Sequence, residues 1–357
     1  VGGWNAGCRA TGPVAGNSAV PGDRPGRPTT GIADMIKRAF VLAAGLGTRL
    51  RPLTDQLPKP LIPVGRKPLL TFAFDHLIAD GGVEEFIVNT HHLPQAYKSA
   101  FPSGEYRGRP LQFRYEPTLL DTGGGIKNIQ DLMGDAPETL LVYNGDILTD
   151  LPLQPAIAHH RAAGNEVTLV LRSGDGPKHV AWDAASGRIV DIGNRLGTGA
   201  AAAFGFSCVY LVEPAFFQRI PRGAPISVIP IFLDMIRADA GLGGVLVDDG
   251  QWHDLGSVPE YLRVHRELHA DASAHFPRYG APDPHWRQWI DSTAQIAAGV
   301  RLAGAVTAGA GARIGEGALV RDTILWPGAE IASHSEVSDC IVRTSQRASG
   351  SAVGLVF

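Results

Sequence analysis

The chain lacks an excess of charge of either sign: its 357 residues carry 32 Lys and Arg against 35 Asp and Glu, a formal net charge of -3. A nucleic-acid surface built on bulk positive charge is therefore excluded as an expectation, and any phosphate site has to be local. Cysteine is scarce as well. Cys8, Cys208 and Cys340 stand far apart without metal-ligand spacing, and an odd count does not suit a disulfide framework, so a reducing, cytoplasmic setting without a zinc centre is expected. Long hydrophobic runs are missing: no stretch reaches the roughly eighteen apolar residues of a membrane span. Residues 1–34 also lack the apolar centre of a secretory signal, so no membrane partner is expected.

What is present is a globular composition, 44% hydrophobic, long enough for one large domain and a smaller one. Residues 1–34 are dense in Gly and Pro, as in Pro21-Gly22-Asp23-Arg24-Pro25-Gly26, and predict a disordered tail with Met35 as the natural start. The pattern then changes sharply. Ala39 to Ala44 is a short continuous apolar run ending in glycines, which suits a buried parallel strand followed by a tight loop. Similar runs recur at Glu85 to Asn89, Leu140 to Asn144 and Val167 to Leu171, separated by helix-like stretches at Leu69 to Asp80 and Leu153 to Ala163. This alternation predicts an α/β domain over residues 35–270, a Rossmann-like and mostly parallel sheet with helices on both faces. Ligands of such sheets sit beyond the carboxyl ends of the strands.

A Pro- and aromatic-containing connector over 271–290 leads into a tract with a period of six. Ile296, Leu302, Ala308, Ile314, Val320 and Trp326 form one row; Val300, Val306, Ala312, Ala318 and Ile324 form a second. Hexapeptide periodicity predicts a short left-handed parallel β-helix of about three coils over 291–357, and such a tract offers a surface for a homo-oligomer.

The loop Gly45-Leu46-Gly47-Thr48-Arg49 follows the first strand. Glycines there let backbone N–H groups approach phosphate oxygens, helped by the dipole of a following helix. It is neither a P-loop, since no Gly-Lys-Ser/Thr is present, nor a dinucleotide fingerprint, since Leu50 stands where a third Gly belongs. Its continuation is more specific: Lys59, held between Pro58 and Pro60, lies ten positions after Arg49 and adds a point charge to a fork-shaped donor.

The stretch from Phe40 to Pro68 resembles the signature of the sugar-1-phosphate nucleotidyltransferases, namely Gly-x-Gly-Thr-Arg, a Pro-Lys pair and a Pro before the next helix. The likeness extends less densely to about residue 268. It implies a reaction in which an NTP and a sugar 1-phosphate give an NDP-sugar and pyrophosphate. On the same likeness Ala43, Ala44, Gly45, Gly47 and Thr48 would hold the triphosphate, Arg49 would polarise it, and Lys59 would neutralise charge on the α-phosphate. Mg²⁺ takes one or two carboxylates plus phosphate oxygens, and Asp146 in Asn144-Gly145-Asp146 and Asp254 in Trp252-His253-Asp254 match the positions that share it. Thr122-Gly123-Gly124-Gly125 resembles the second Gly-rich loop, with Gly123 and Gly124 facing the base; His91 and His92 end a strand near the same pocket.

Two departures stand out. The family's Glu-Lys pair for the sugar and its phosphate is replaced by Asn194 and Arg195, and Cys208 stands where relatives often have Gly. Arg can still clamp a phosphate, whereas Asn is a neutral substitute, so sugar specificity does not carry over. The β-helix favours GTP with mannose 1-phosphate; the alternatives are uridylyl transfer to an N-acetylated sugar 1-phosphate, a non-catalytic subunit that senses sugar nucleotides, or an acyltransferase in the repeats with His334 as base.

Overall fold

The computed structural model describes residues 36–134, 138–174, 176–275 and 289–357. The expected tail 1–34, Met35 and most of the connector lie outside the described residues. Among those described, no helix is long and apolar enough to cross a membrane.

A ten-stranded sheet organises residues 36–246. In chain order its strands are β1 (Arg38–Leu42), β2 (Glu85–Thr90), β3 (Glu105–Tyr106), β4 (Arg109–Tyr115), β5 (Leu140–Asn144), β6 (Val167–Arg172), β7 (Val180–Asp183), β8 (Arg188–Ile192), β9 (Gly205–Val212) and β10 (Leu242–Leu246). Across the sheet the order is β7-β8-β10-β6-β9-β5-β1-β2-β4-β3. β4, β2, β1 and β5 run parallel, as do β10 and β6, but β9 is antiparallel to both β5 and β6. The four sequence-read strands are present and central.

Side-chain alternation decides which layer each residue joins. Ala39 and Val41 of β1, Phe86 and Val88 of β2, and Leu141 and Tyr143 of β5 pack on one face with α1 (Leu69–Ala79), α2 (Pro94–Ala100) and α4 (Gln154–Ala163). Phe40, Ile87, Leu140 and Val142 pack on the other with α3 (Asp121–Asn128) and α5 (Val228–Arg237). Strands covered on both faces have no polar side to show, which is why they read as continuous apolar runs. A last helix, α6 (Val258–His275), continues five residues past the expected domain end at 270.

From Gln295 the chain winds through three sheets of short parallel strands, the arrangement expected of a left-handed parallel β-helix. Three coils are followed by a partial fourth. Gln295 pairs with Arg313, a step of eighteen residues, but Arg313 pairs with Glu330, a step of seventeen. The missing residue breaks the six-residue row. Ala308 is matched by Leu325, which points into the coil interior, and Trp326 and Ile324 point outward instead. They pack with Leu50, Leu53, Leu255 and Tyr261, so the repeats share a core with the residues that follow the Gly-rich loop.

Candidate active site

With β1 lying between β5 and β2, the carboxyl ends of all three open on one cavity of about 570 Å³. Ala43, Ala44, Gly45, Gly47, Thr48, Arg49, Lys59 and Asp146 of the expected set line it. The loop after β1 is pinned from two sides. Asn89 Oδ1 accepts from the Ala43 N–H at 2.7 Å, and the Tyr97 hydroxyl donates to the Ala43 carbonyl at 2.7 Å. Asn89 in turn donates to Glu116 Oε1 at 2.8 Å, while Glu116 Oε2 accepts from the Leu120 N–H at 3.0 Å. Glu116 is fully buried, and burial raises its pKa against the lowering effect of these hydrogen bonds. Asn89 and Asp121 also line the cavity.

Gly47 turns the loop with φ +61°, and a Cβ there would sit 2.8 Å from Thr54 Cγ2 and 3.1 Å from Lys59 Cβ. Gly45 is different: a Cβ on it meets nothing within 4 Å, so its backbone faces open space. After Gly47 the chain makes a three-residue 3-10 turn, Thr48–Leu50, rather than the expected helix. The local anion attraction must come from side chains and loop N–H groups and not from a helix dipole.

Lys59 lies in another 3-10 turn, Lys59–Leu61, where Pro58 and Pro60 limit the backbone. Its side chain is 6% exposed, and Nζ donates at 2.8 Å to both Asp146 Oδ2 and Asp254 Oδ1. A two-stranded ribbon brings the two carboxylates together: Ile147–Thr149 pairs antiparallel with Trp252–Asp254, and Asp254 faces Ile147 in register. Arg49 NH2 approaches Asp254 Oδ2 at 3.4 Å from an exposed position. Gly256 makes room, since a Cβ there would be 2.7 Å from that guanidinium nitrogen. Burial opposes the charge on Lys59, but the two carboxylates outweigh it and raise its pKa. Burial likewise opposes ionisation of Asp254, and Lys59 followed by Arg49 brings its pKa below the usual carboxylate range. Both groups are therefore ionised at neutral pH.

Other expected residues lie elsewhere. Residues 121–128 form α3 and not a loop, and Gly123 and Gly124 are buried in it: a Cβ would lie 2.9 Å from the Ile226 carbonyl and 2.8 Å from the Ala224 carbonyl, respectively. The Gly124 N–H is already given to Ile226. These glycines let α3 pack tightly against residues 224–227, and Asp121 and Thr122 face the cavity in their place. His92 Nε2 contacts the Thr54 carbonyl at 2.7 Å and His91 Nδ1 the Glu116 carbonyl at 2.8 Å; neither lines the cavity. Asn194 and Arg195 are exposed on the turn after β8, also outside the lining. Cys208 has φ +64° within a bulge of β9, where its half-buried thiol is pushed up to about 12 by burial and then by Asp146 and Asp254. His334 is exposed at a coil corner against Gly317.

Asn89 was visible in the sequence as a strand end, but Glu116 carried no pattern that marks it. The buried chain Ala43–Asn89–Glu116–Leu120 exists only once three strand ends converge.

Known proteins resemble this chain over most of its length. A family model described as Nucleotidyl transferase matches residues 38–179. A mannose-1-phosphate guanylyltransferase of Mycobacterium tuberculosis is 31% identical over 304 residues, 82% of this chain and 80% of the relative. A UTP–glucose-1-phosphate uridylyltransferase of Synechocystis is 29% identical over 64% of this chain and 62% of its own. Among solved structures, a putative glucose-1-phosphate thymidylyltransferase from Bacillus anthracis shares the fold, with a TM-score of 0.55 at 19% identity over 64% of this chain and 93% of that one.

Proposed function

The chain belongs to the sugar-1-phosphate nucleotidyltransferases, enzymes that join a nucleotidyl group to a sugar 1-phosphate, and on that premise we propose guanylyl transfer from GTP to mannose 1-phosphate. The observation that carries the reading is Lys59 Nζ at 2.8 Å from both Asp146 and Asp254, with Lys59 and Asp146 lining the loop-walled cavity. The mannose preference rests on the Mycobacterium tuberculosis relative, which matches four-fifths of the chain, and on the β-helix.

The sugar phosphate oxygen that attacks the α-phosphorus is already anionic, so catalysis reduces to alignment and charge neutralisation. With the Ala43 N–H already given to Asn89, loop N–H groups from Ala44 to Thr48 hold the triphosphate, Arg49 polarises it and Lys59 meets the charge that builds on the α-phosphate. By resemblance Arg195, whose side chain makes no ion pair or hydrogen bond among the described residues, would clamp the sugar phosphate beside Asn194, reaching it from the exposed turn after β8 outside the cavity lining.

The donor set fits Mg²⁺. Asp146 and Asp254 are hard oxygen donors on one ammonium, and Asp146 Oδ1 has no partner among the described residues. No third His, Cys, Asp or Glu joins them among the described residues, so substrate phosphates and water would complete the shell. When bound, the ion supplies Lewis-acid neutralisation of phosphate charge.

The test is a matrix of four NTPs against mannose, glucose, N-acetylglucosamine, muramate-type and heptose 1-phosphates, reading pyrophosphate. GTP with mannose 1-phosphate is expected to be fastest. Faster turnover with UTP and an N-acetylated sugar would replace the guanylyl reading, and binding of sugar nucleotides without turnover would make the chain a sensor.

A further inference from the structure

Behind the active cavity lies a second one of about 510 Å³, lined by Leu120, Gly124 and Lys127 of the α3 region and by Arg222, Gly223 and Ala224. Its charge is cationic. Lys127 Nζ spends one donor on the Phe217 carbonyl at 2.6 Å, and Arg222 is exposed with no ion pair or hydrogen bond among the described residues. The one carboxylate in the wall, Asp131, is already neutralised by Arg114 through contacts of 2.7 and 2.6 Å. Burial, with Arg222 beside it, lowers the Lys127 pKa, so the two cations disfavour one another. Two cations lining one space of small-molecule size call for an anionic occupant.

The two cavities share their walls. Leu119, Asp121 and Thr122 face the active cavity, whereas Leu120 and Gly124 face the second; Pro225 lines the first, and Arg222 to Ala224 line the second. The walls are joined by backbone hydrogen bonds, Gly124 N–H to Ile226 at 3.0 Å and Ile226 N–H to Leu120 at 2.9 Å. There is no slack between them, because a Cβ on Gly124 would meet the Ala224 carbonyl at 2.8 Å. Moving one wall therefore moves the other.

We propose that this second cavity binds a phosphate-bearing small molecule between Lys127 and Arg222 and, through α3 and residues 222–226, alters how the active cavity holds its nucleotide. Neither cation belongs to the catalytic set. Closing on a phosphate would draw the 222–224 segment toward α3 and shift Asp121 and Pro225 together.

The experiment measures binding of inorganic phosphate and of a hexose 6-phosphate to the full chain by calorimetry. It uses the wild type and the variants Arg49→Ala, Arg222→Ala and Lys127→Met. Binding that survives Arg49→Ala and weakens at least tenfold in both Arg222→Ala and Lys127→Met supports the site. Tighter hexose 6-phosphate assigns it to an organic phosphate, and equal affinities assign it to the phosphate group alone. Absence of binding, or binding lost with Arg49 and kept without Arg222, overturns it. In turnover, the ligand should change the NTP KM at least threefold in the wild type and leave it unchanged in Arg222→Ala; an unchanged wild-type KM overturns the coupling. The binding arm does not depend on which nucleotide or sugar reacts.

Discussion

The Trp326 indole of the β-helix donates a hydrogen bond to the Tyr261 hydroxyl of α6 at 3.3 Å, and the Tyr261 hydroxyl in turn donates to the Pro63 carbonyl. Both rings are fully buried in a core that also contains Leu50 and Leu53, a few residues beyond Arg49. The repeats are thus built into the support of the catalytic loop. Arg343 donates to the Pro52 carbonyl at 3.2 Å and Gln56 to the Thr344 carbonyl at 3.2 Å, adding polar ties across the same seam.

Trp326→Ala is expected to destabilise the chain by about 3–5 kcal/mol, the usual cost of emptying a large buried aromatic site. Denaturant unfolding should remain one transition with a lower midpoint, because both parts use this core. A β-helix that melts alone while the remainder keeps its midpoint would refute the shared-core account.

Lys59→Ala is expected to lower turnover about 10²–10³-fold, the typical cost of removing one preorganised charge. A thermal melt should show the protein still folded, since Lys59 touches Asp146 and Asp254 at the cavity edge and is not part of an apolar core. Near-normal pyrophosphate release by the variant would remove Lys59 from the mechanism.

Much of the sheet was legible because β1, β2, β5 and β6 are covered on both faces and so have uninterrupted apolar runs. β9 was not, because Ser207 and Cys208 interrupt it at a bulge that only its neighbours define. Residues 123–125 looked like a loop because Gly is a poor helix former. Close packing on residues 224–227 outweighs that propensity and keeps them helical. Trp326 fell in an apolar row by count, and one seventeen-residue coil step turned it outward. The nearness of Asp146 to Asp254 was suggested by resemblance, whereas their common contact with Lys59 was not, and its cause, the 147–149 with 252–254 ribbon, is a long-range pairing invisible in local pattern.

Stability should fall in mild acid because of His265. Its Nε2 accepts from the Gly65 N–H at 3.0 Å and its Nδ1 faces the Tyr261 carbonyl at 2.8 Å, so the neutral ring fits and burial lowers its pKa to about 4. The unfolded chain takes up this proton near pH 6.5, while the folded chain resists until about pH 4. The contribution is complete above pH 6.5 and is lost progressively as pH falls toward 4, up to about 3 kcal/mol. His265→Gln should be less stable at pH 7 and have a flatter profile between those limits. Parallel profiles for variant and wild type would exclude His265 as the source.

Arg195→Ala is expected to raise the KM for the sugar 1-phosphate roughly 10- to 100-fold while leaving the NTP KM unchanged, consistent with loss of a charge-assisted phosphate contact. Arg195→Lys should recover part of the loss. Equal effects on both substrates, or none, would withdraw the clamping role.

Gly45 and Gly47 separate backbone strain from ligand contact. Gly47→Ala forces a side chain into φ +61° and against Thr54 Cγ2 at 2.8 Å, with Lys59 Cβ next at 3.1 Å. Left-handed backbone alone costs about 1–2 kcal/mol, so the melting temperature should drop and kcat should fall as Lys59 is displaced. Gly45→Ala meets nothing within 4 Å and should melt like the wild type. Its methyl group would project from a loop that lines the cavity, so the effect should appear in the NTP KM, with the sugar phosphate KM unchanged. A stable Gly45→Ala enzyme with an unaltered NTP KM would mean that the triphosphate does not approach this part of the loop.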